Sequence, residues 1–298
     1  MQDKTAVVIP NYNMPERTDA LVEYLMEHAK APHDIYVVDN GSDIMPPSQY
    51  TNVFIEENCQ TTCGWLTGMR AADTVPTTTC RSALTRWWNI LRSTLRLPTT
   101  CGWLTGMRAA DTVEKHHGKS YLAYLIMITS TEFVEESGDP LTPLVEFLVA
   151  NPNAAVVHAA LTEDSTSALG QQMKDRGSGK PRRTYLIDNI AALWRADWLN
   201  SIGRFRPELR MGWGVLRETC WMARRDRKTI WIHEGTCVKK VSNIGYKMKR
   251  MNMTAIRRGE LADAEAKLIL EPIYGPDFKE KLGHEWTRPT RNGWECDY

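Results

Sequence analysis

Two short apolar runs near the start of the chain each end in polar groups that can do chemistry. Thr5–Pro10 is a β-branched run stopped by Pro10 and Asn11, with Tyr12 and Asn13 next; Asp34–Asp39 is a second, ended by the turn signal Asn40-Gly41-Ser42-Asp43. A carboxylate at a strand's C-terminal end, as Asp39 is, is well placed to accept hydrogen bonds from neutral donors. A second carboxylate, Glu218, stands in Gly212-Trp213-Gly214-Val215-Leu216-Arg217-Glu218, flanked by Trp213 and Trp221. In the first turn of a helix it would also complement the dipole and pair with Arg217 or Arg225.

Cations are gathered rather than spread. Residues 174–258 hold 21 Lys/Arg against 7 Asp/Glu, a net +14, while the rest of the 298 residues carry −13. The split hides inside an overall charge of +1 and suggests a face that handles an anion: phosphate, nucleic acid or acidic glycan. Arg224, Lys239 and Lys240 belong to it. The alternative is a solvated basic surface.

These groups need elements to hold them. A helix over Glu16 to Ala29, with Leu21, Tyr24, Leu25 and His28 on one face, joins the first two strands, and Asn52–Glu56 makes a third. Strand, helix, strand at this spacing is a βαβ unit, so functional loops fall at the strands' C-terminal ends. Tyr121–Ile128 and Ala154–Ala160 read as continuous apolar strands, with Leu144–Ala150 in a helix between them. Beyond about Thr254 a helical tail is expected, with Leu261, Ala264, Leu268 and Leu270 near helical spacing before Pro272.

One feature breaks the pattern. Thr61–Val75 and Thr99–Val113 are the same 15 residues, TTCGWLTGMRAADTV, at an offset of 38. With no third copy this is not a solenoid. Removing 61–98 would leave an uninterrupted α/β pattern, so the segment reads as a partial duplication or insertion. Between the copies, Leu84, Trp87, Trp88, Leu91 and Leu95 with Arg81, Arg86, Arg92 and Arg96 form a basic amphipathic pattern. It suits an anionic membrane surface or a partner, or packing on its own domain.

Composition excludes several classes. At 42% hydrophobic and 24% charged, with mean hydropathy −0.41, the chain is neither disordered nor fibrous. Its longest apolar run, Tyr121 to Ile128, falls far short of the roughly 20 residues that span a bilayer. The opening Met-Gln-Asp-Lys shows no leader pattern. Seven scattered cysteines fit reduced thiols, so a cytoplasmic location is expected.

Val8-Ile9-Pro10-Asn11-Tyr12-Asn13 followed by Val37-Val38-Asp39-Asn40-Gly41-Ser42-Asp43 resembles the opening of family 2 glycosyltransferases of the GT-A fold. The resemblance runs, more weakly, to about Gly245. It implies a doubly wound, mostly parallel α/β sheet with helices on both faces over residues 1–253, then the tail 254–298. It also implies a nucleotide-sugar donor. Pro10, Asn11 and Tyr12 would line the base, and Asp39, with Asn40 and Gly41 beside it, would hold uracil or ribose. Cys101-Gly102-Trp103-Leu104-Thr105-Gly106-Met107-Arg108 looks like the family's glycine-containing helix start, from which Arg108 would reach a phosphate. Which repeat copy fills that place stays open; the second keeps the spacing to the next strand.

The family's Asp-x-Asp metal motif should follow Tyr121–Ile128. Thr129-Ser130-Thr131-Glu132 stands there instead, and hydroxyls are poor sole ligands for Mg²⁺ or Mn²⁺. No cofactor is assigned; Mg²⁺ or Mn²⁺ stays open, with Glu132 able to compensate in part. Thr129 and Thr131 remain candidate donor-binding residues.

Ile202-Gly203-Arg204-Phe205 and the Gly-Trp-Gly segment continue the likeness. There the family carries carboxylates; Leu216 has replaced one and Glu218 remains, the candidate general base for an acceptor hydroxyl. Trp213 and Trp221 would be acceptor platforms. Trp231–Val238 resembles the late strand that often ends in a metal-ligating His, and Lys239-Lys240 follows it. Lys239, Lys240 or Arg224 would then offset the departing diphosphate. The expected activity is transfer of a sugar, from a UDP-sugar by preference, to an acceptor hydroxyl on a glycan or other anionic molecule. The alternative is a non-catalytic nucleotide-sugar, glycan or nucleic-acid binding protein on the same scaffold. A nucleotidyltransferase would need a Gly-rich loop after the first strand, which is lacking.

Overall fold

The computed structural model describes residues 4–11, 13–40, 42, 48–55, 120–134, 138–166, 170–206, 208–209, 212–241 and 255–284. Both copies of the repeat, the amphipathic stretch 76–98, Tyr12, Gly41 and Arg108 lie outside them. For Asn40 only the backbone is described.

β1 (Thr5–Asn11), α1 (Pro15–His28), β2 (His33–Asn40) and β3 (Thr51–Ile55) follow the expected βαβ order. Proline at the start of α1 has a preset φ and lacks an N–H that would have no partner there, and Glu16 lies in the first turn where the dipole favours it. Thr18, Leu21, Val22 and Leu25 turn inward. Tyr24 and His28 stay half-exposed with rings 4.2 Å apart.

β4 (Ala123–Met127) and β5 (Thr131–Phe133) come next, then α2 (Thr142–Ala150), β6 (Ala154–Leu161) and the short α3 (Gly170–Met173). β7 (Pro181–Thr184), β8 (Ala191–Arg195), α4 (Ala196–Ser201), α5 (Val215–Arg225) and β9 (Thr229–Lys240) complete the sheet half, and α6 (Ala255–Tyr274) follows. The strand order is β3-β2-β1-β4-β8-β6-β9-β5, with β7 also paired to β9.

The two halves of this sheet differ in direction. β3, β2, β1 and β4 are parallel neighbours, whereas β8 runs antiparallel to both β4 and β6. β6 and β9 are again parallel, and β5 and β7 pair antiparallel with β9. The second half is therefore mixed rather than mostly parallel. β7 and β8 run the same way but are not neighbours: β7 pairs with β9, and β8 inserts between β4 and β6.

β1, β4 and β6 are buried along their whole length, as strands covered on both faces must be. Leu270 and Tyr274 of α6 join the same apolar core as β1 and β4. On α6 the buried stripe is Ala262, Ala266, Leu270 and Tyr274, whereas Leu268 is 77% exposed and Ala264 faces water. The expected face is thus displaced by about half a turn. The cause is close approach: Gly214, at the start of α5 with φ +87°, lies so near Leu270 Cδ1 that an added Cβ would sit 2.8 Å from it. The helix also runs through Pro272 to Tyr274 instead of stopping before it.

Candidate functional site

The C-terminal ends of β1, β2 and β4 are neighbours, and their polar groups meet. Register sets Asn11 beside Asp39. Asp39 is 1% exposed, and its Oδ1 accepts from Asn11 Nδ2 at 3.0 Å and Ser42 Oγ at 2.5 Å, while Oδ2 accepts from the Ser42 amide at 3.0 Å. Asn11 Oδ1 in turn accepts from Thr18 Oγ1 at 2.9 Å, and the Asn13 amide donates to Ser42 Oγ at 2.9 Å. Asp39 therefore braces the loop after β1 to the loop after β2, and the donors of these three bonds are all neutral. Pro10 and Asn11 belong to the buried strand itself, and Asn11 reaches the loops through its amide.

The turn after β4 sits against this brace. Thr129 Oγ1 approaches Met14 Sδ at 3.7 Å, and its carbonyl accepts from Arg17 Nε at 3.4 Å. Thr131 Oγ1 donates to the Ile190 carbonyl at 3.3 Å. Glu132 is held by Arg17 Nη2 at 2.6 Å. Arg17, from the first turn of α1, had no signal in the sequence beyond its charge.

Strand pairing separates the two adjacent lysines. Thr131 lies opposite Lys240, and Glu132 opposite Lys239. Cross-strand partners share a face and successive residues alternate, so Lys240 lies on the side of buried Thr131 and Lys239 on the side of exposed Glu132. Lys239 is ion-paired to Asp164, which holds the lysine's pKa up and the Asp164 carboxyl below its usual range. Lys240 is half-buried; burial lowers its pKa, and the Asp188 carboxylate acts against that fall. Arg224 is elsewhere, on α5, donating to the Tyr185 carbonyl.

Glu218 occupies a different setting. It is 2% exposed in the first turn of α5, and Arg206 Nε donates to both its oxygens at 2.8 Å. Tyr274 of α6 donates to Oε1, also at 2.8 Å. The expected partners Arg217 and Arg225 do not fill this role; Arg225 pairs with Asp226 instead. Burial and the Glu218 carboxylate push the Tyr274 phenol up to about 12, and the hydrogen bond to Glu218 raises Arg206. Trp221 lies edge-on to Tyr274 at 5.1 Å, whereas Trp213 is 53% exposed between two positive-φ glycines.

The turn after β4 does not fit a divalent cation. The Thr129 and Thr131 hydroxyls are engaged as above, Glu132 is paired with Arg17, and Lys240 brings positive charge to the turn. Hard cations need several charged or carbonyl oxygens converging. Among the described residues no three His, Cys, Asp or Glu side chains gather at one point. His233, on β9, instead lies against the Phe147 ring at 5.8 Å.

Among the described residues no helix is long and apolar enough to cross a membrane. No family model matches the chain, and no curated protein does. The fold does have a counterpart among solved structures. The crystal structure of GalNAc-T7 with UDP, GalNAc and Mn²⁺ superimposes on 83% of this chain with a TM-score of 0.50 and 8% identity. This chain spans 45% of that one's length. At such identity the likeness speaks for architecture alone: this is a mixed α/β chain with a GT-A-like fold.

Proposed function

We propose that this protein is a glycosyltransferase that takes a sugar from a nucleotide diphosphate donor, UDP-sugars by preference, without a catalytic metal. The observation that carries the reading is the juxtaposition at the strand ends. The Asn11–Asp39–Ser42 brace shapes the loops that would hold the nucleoside, and the turn where the fold's cation would stand is flanked by inward-facing Lys240. As the acceptor hydroxyl's oxygen attacks the anomeric carbon, its proton passes to water, the bond to the diphosphate breaks and the electron pair passes to phosphate oxygen. A half-buried ammonium stabilises that charge more strongly than a solvated one. Lys239 is less suited, since Asp164 already balances it. Trp213 is the proposed acceptor platform. Inversion at the anomeric carbon is the expected outcome.

One observation favours a second reading, a binding protein without turnover. Glu218 could take the acceptor's proton only after exchanging Arg206 and Tyr274, which now hold it.

A titration of UDP and UDP-sugars, with UDP release followed in parallel, tests both. UDP should bind, and Asp39→Ala should weaken it by about 1–3 kcal/mol while the chain stays folded. Unchanged affinity in that variant would sink the donor site. Binding without UDP release from any UDP-sugar would select the second reading.

A further inference from the structure

Asp188 plays no part in the reaction as outlined, yet the fold brings its segment alongside the β5–β9 pair that carries Lys240. Thr131 is the meeting point. Lys240 is its partner across the β5–β9 pair, and the Ile190 carbonyl takes both the Thr131 hydroxyl and the Ile128 amide, at 3.3 and 3.2 Å. The 188–190 segment is thereby stitched to the turn on the lysine's own face. Asp188 is fixed within it: its amide donates to Met173 Sδ at 3.0 Å, and its Oδ1 accepts from the Asn189 amide at 2.9 Å. One residue before Met173, Gln172 is 6% exposed and keeps both amide atoms buried without a hydrogen-bond partner. An unpaired buried amide is unfavourable.

We propose that Asp188 is the resident counter-charge of Lys240, and that the pair sets how tightly the diphosphate of a bound nucleotide is held. In the empty site the carboxylate balances the lysine. When a diphosphate arrives, its terminal phosphate takes over the ammonium and meets repulsion from Asp188, so that product UDP is not held too tightly. This rests on the reading that the site takes a nucleotide diphosphate.

The test compares UDP with UMP on the full chain in EDTA by calorimetry, because the two differ only in the phosphate that Lys240 would meet. UDP should bind better than UMP. Lys240→Met should bring the two within about threefold of each other. Asp188→Asn should tighten UDP about tenfold and leave UMP within about twofold, since removing one nearby charge is worth roughly one power of ten at partly screened distances. Thermal melts show that each variant is folded, and the Asp188→Asn/Lys240→Met double variant should lose the gain. A UDP affinity that Asp188→Asn leaves unchanged or lowers would overturn the proposal while the nucleotide site stands. Failure of the wild-type chain to bind either nucleotide would overturn both.

Discussion

Asp39 and Glu218 are both carboxylates buried to within 2% of full enclosure, and they are solvated in opposite ways. Asp39 is surrounded by an amide, a hydroxyl and a backbone N–H from the two loops it joins. Glu218 is clasped by a guanidinium and by a phenol from the last long helix. The first carboxylate ties the loop after β1 to the loop after β2 at the strand ends. The second has its charge cancelled and ties α6 to α5. Burial and acidity alone do not tell the two carboxylates apart; the elements each one joins do.

The largest effect should come from breaking the clasp. Glu218→Ala should cost about 3 kcal/mol in urea unfolding, near the low end for removing one partner of a buried pair because Arg206 is a quarter exposed. Loss of turnover with full stability would instead make Glu218 the base and remove the contrast.

Acid should act through neither carboxylate first. His158 is fully buried on β6; its Nε2 accepts from the Ala191 amide at 3.1 Å, so the proton sits on Nδ1, facing the Ala159 carbonyl. Burial pushes its pKa down to about 4. The folded protein thus binds this proton less readily than the unfolded chain. The stabilisation is full above pH 6.5 and falls as the pH drops toward 4, by about 3 kcal/mol. A His158→Gln variant should show a flatter stability profile over that window. An unchanged slope would return the acid sensitivity to the carboxylates.

A smaller loss is expected at the other pole. Asp39→Asn keeps the shape of the brace but turns acceptors into donors facing donors, and should cost about 1–2 kcal/mol of stability. A loss as large as that of Glu218→Ala would mean that Asp39, too, is chiefly structural. The smallest effect belongs to Lys239, whose partner Asp164 is exposed. Lys239→Ala should leave the melt and the UDP affinity unchanged, in contrast to its neighbour.

Much of the brace was legible in advance. A β-branched run ending in Pro10-Asn11 and another ending in Asp39 before Asn-Gly needed only local rules, and β1 and β2 formed within a residue or two of expectation. What escaped was set by distance along the chain and by parity. Arg17 reaches Glu132 across 115 positions, and Tyr274 reaches Glu218 across 56. Lys239 and Lys240 are alike as letters; neighbours in a strand alternate faces, and only the register with β5 shows which of them lies with buried Thr131. The stripe on α6 was misplaced because Gly214, lacking a Cβ, lets Leu270 and Ala266 come close to α5.

The central claim is that a protein cation, and no metal, meets the diphosphate. UDP titrated by calorimetry in EDTA and again in Mn²⁺ tests it directly. Equal affinities in the two, with a steep loss as salt rises past a Debye length of about 10 Å at 0.1 M, are the predicted result. Binding that vanishes in EDTA and returns with Mn²⁺ would contradict it.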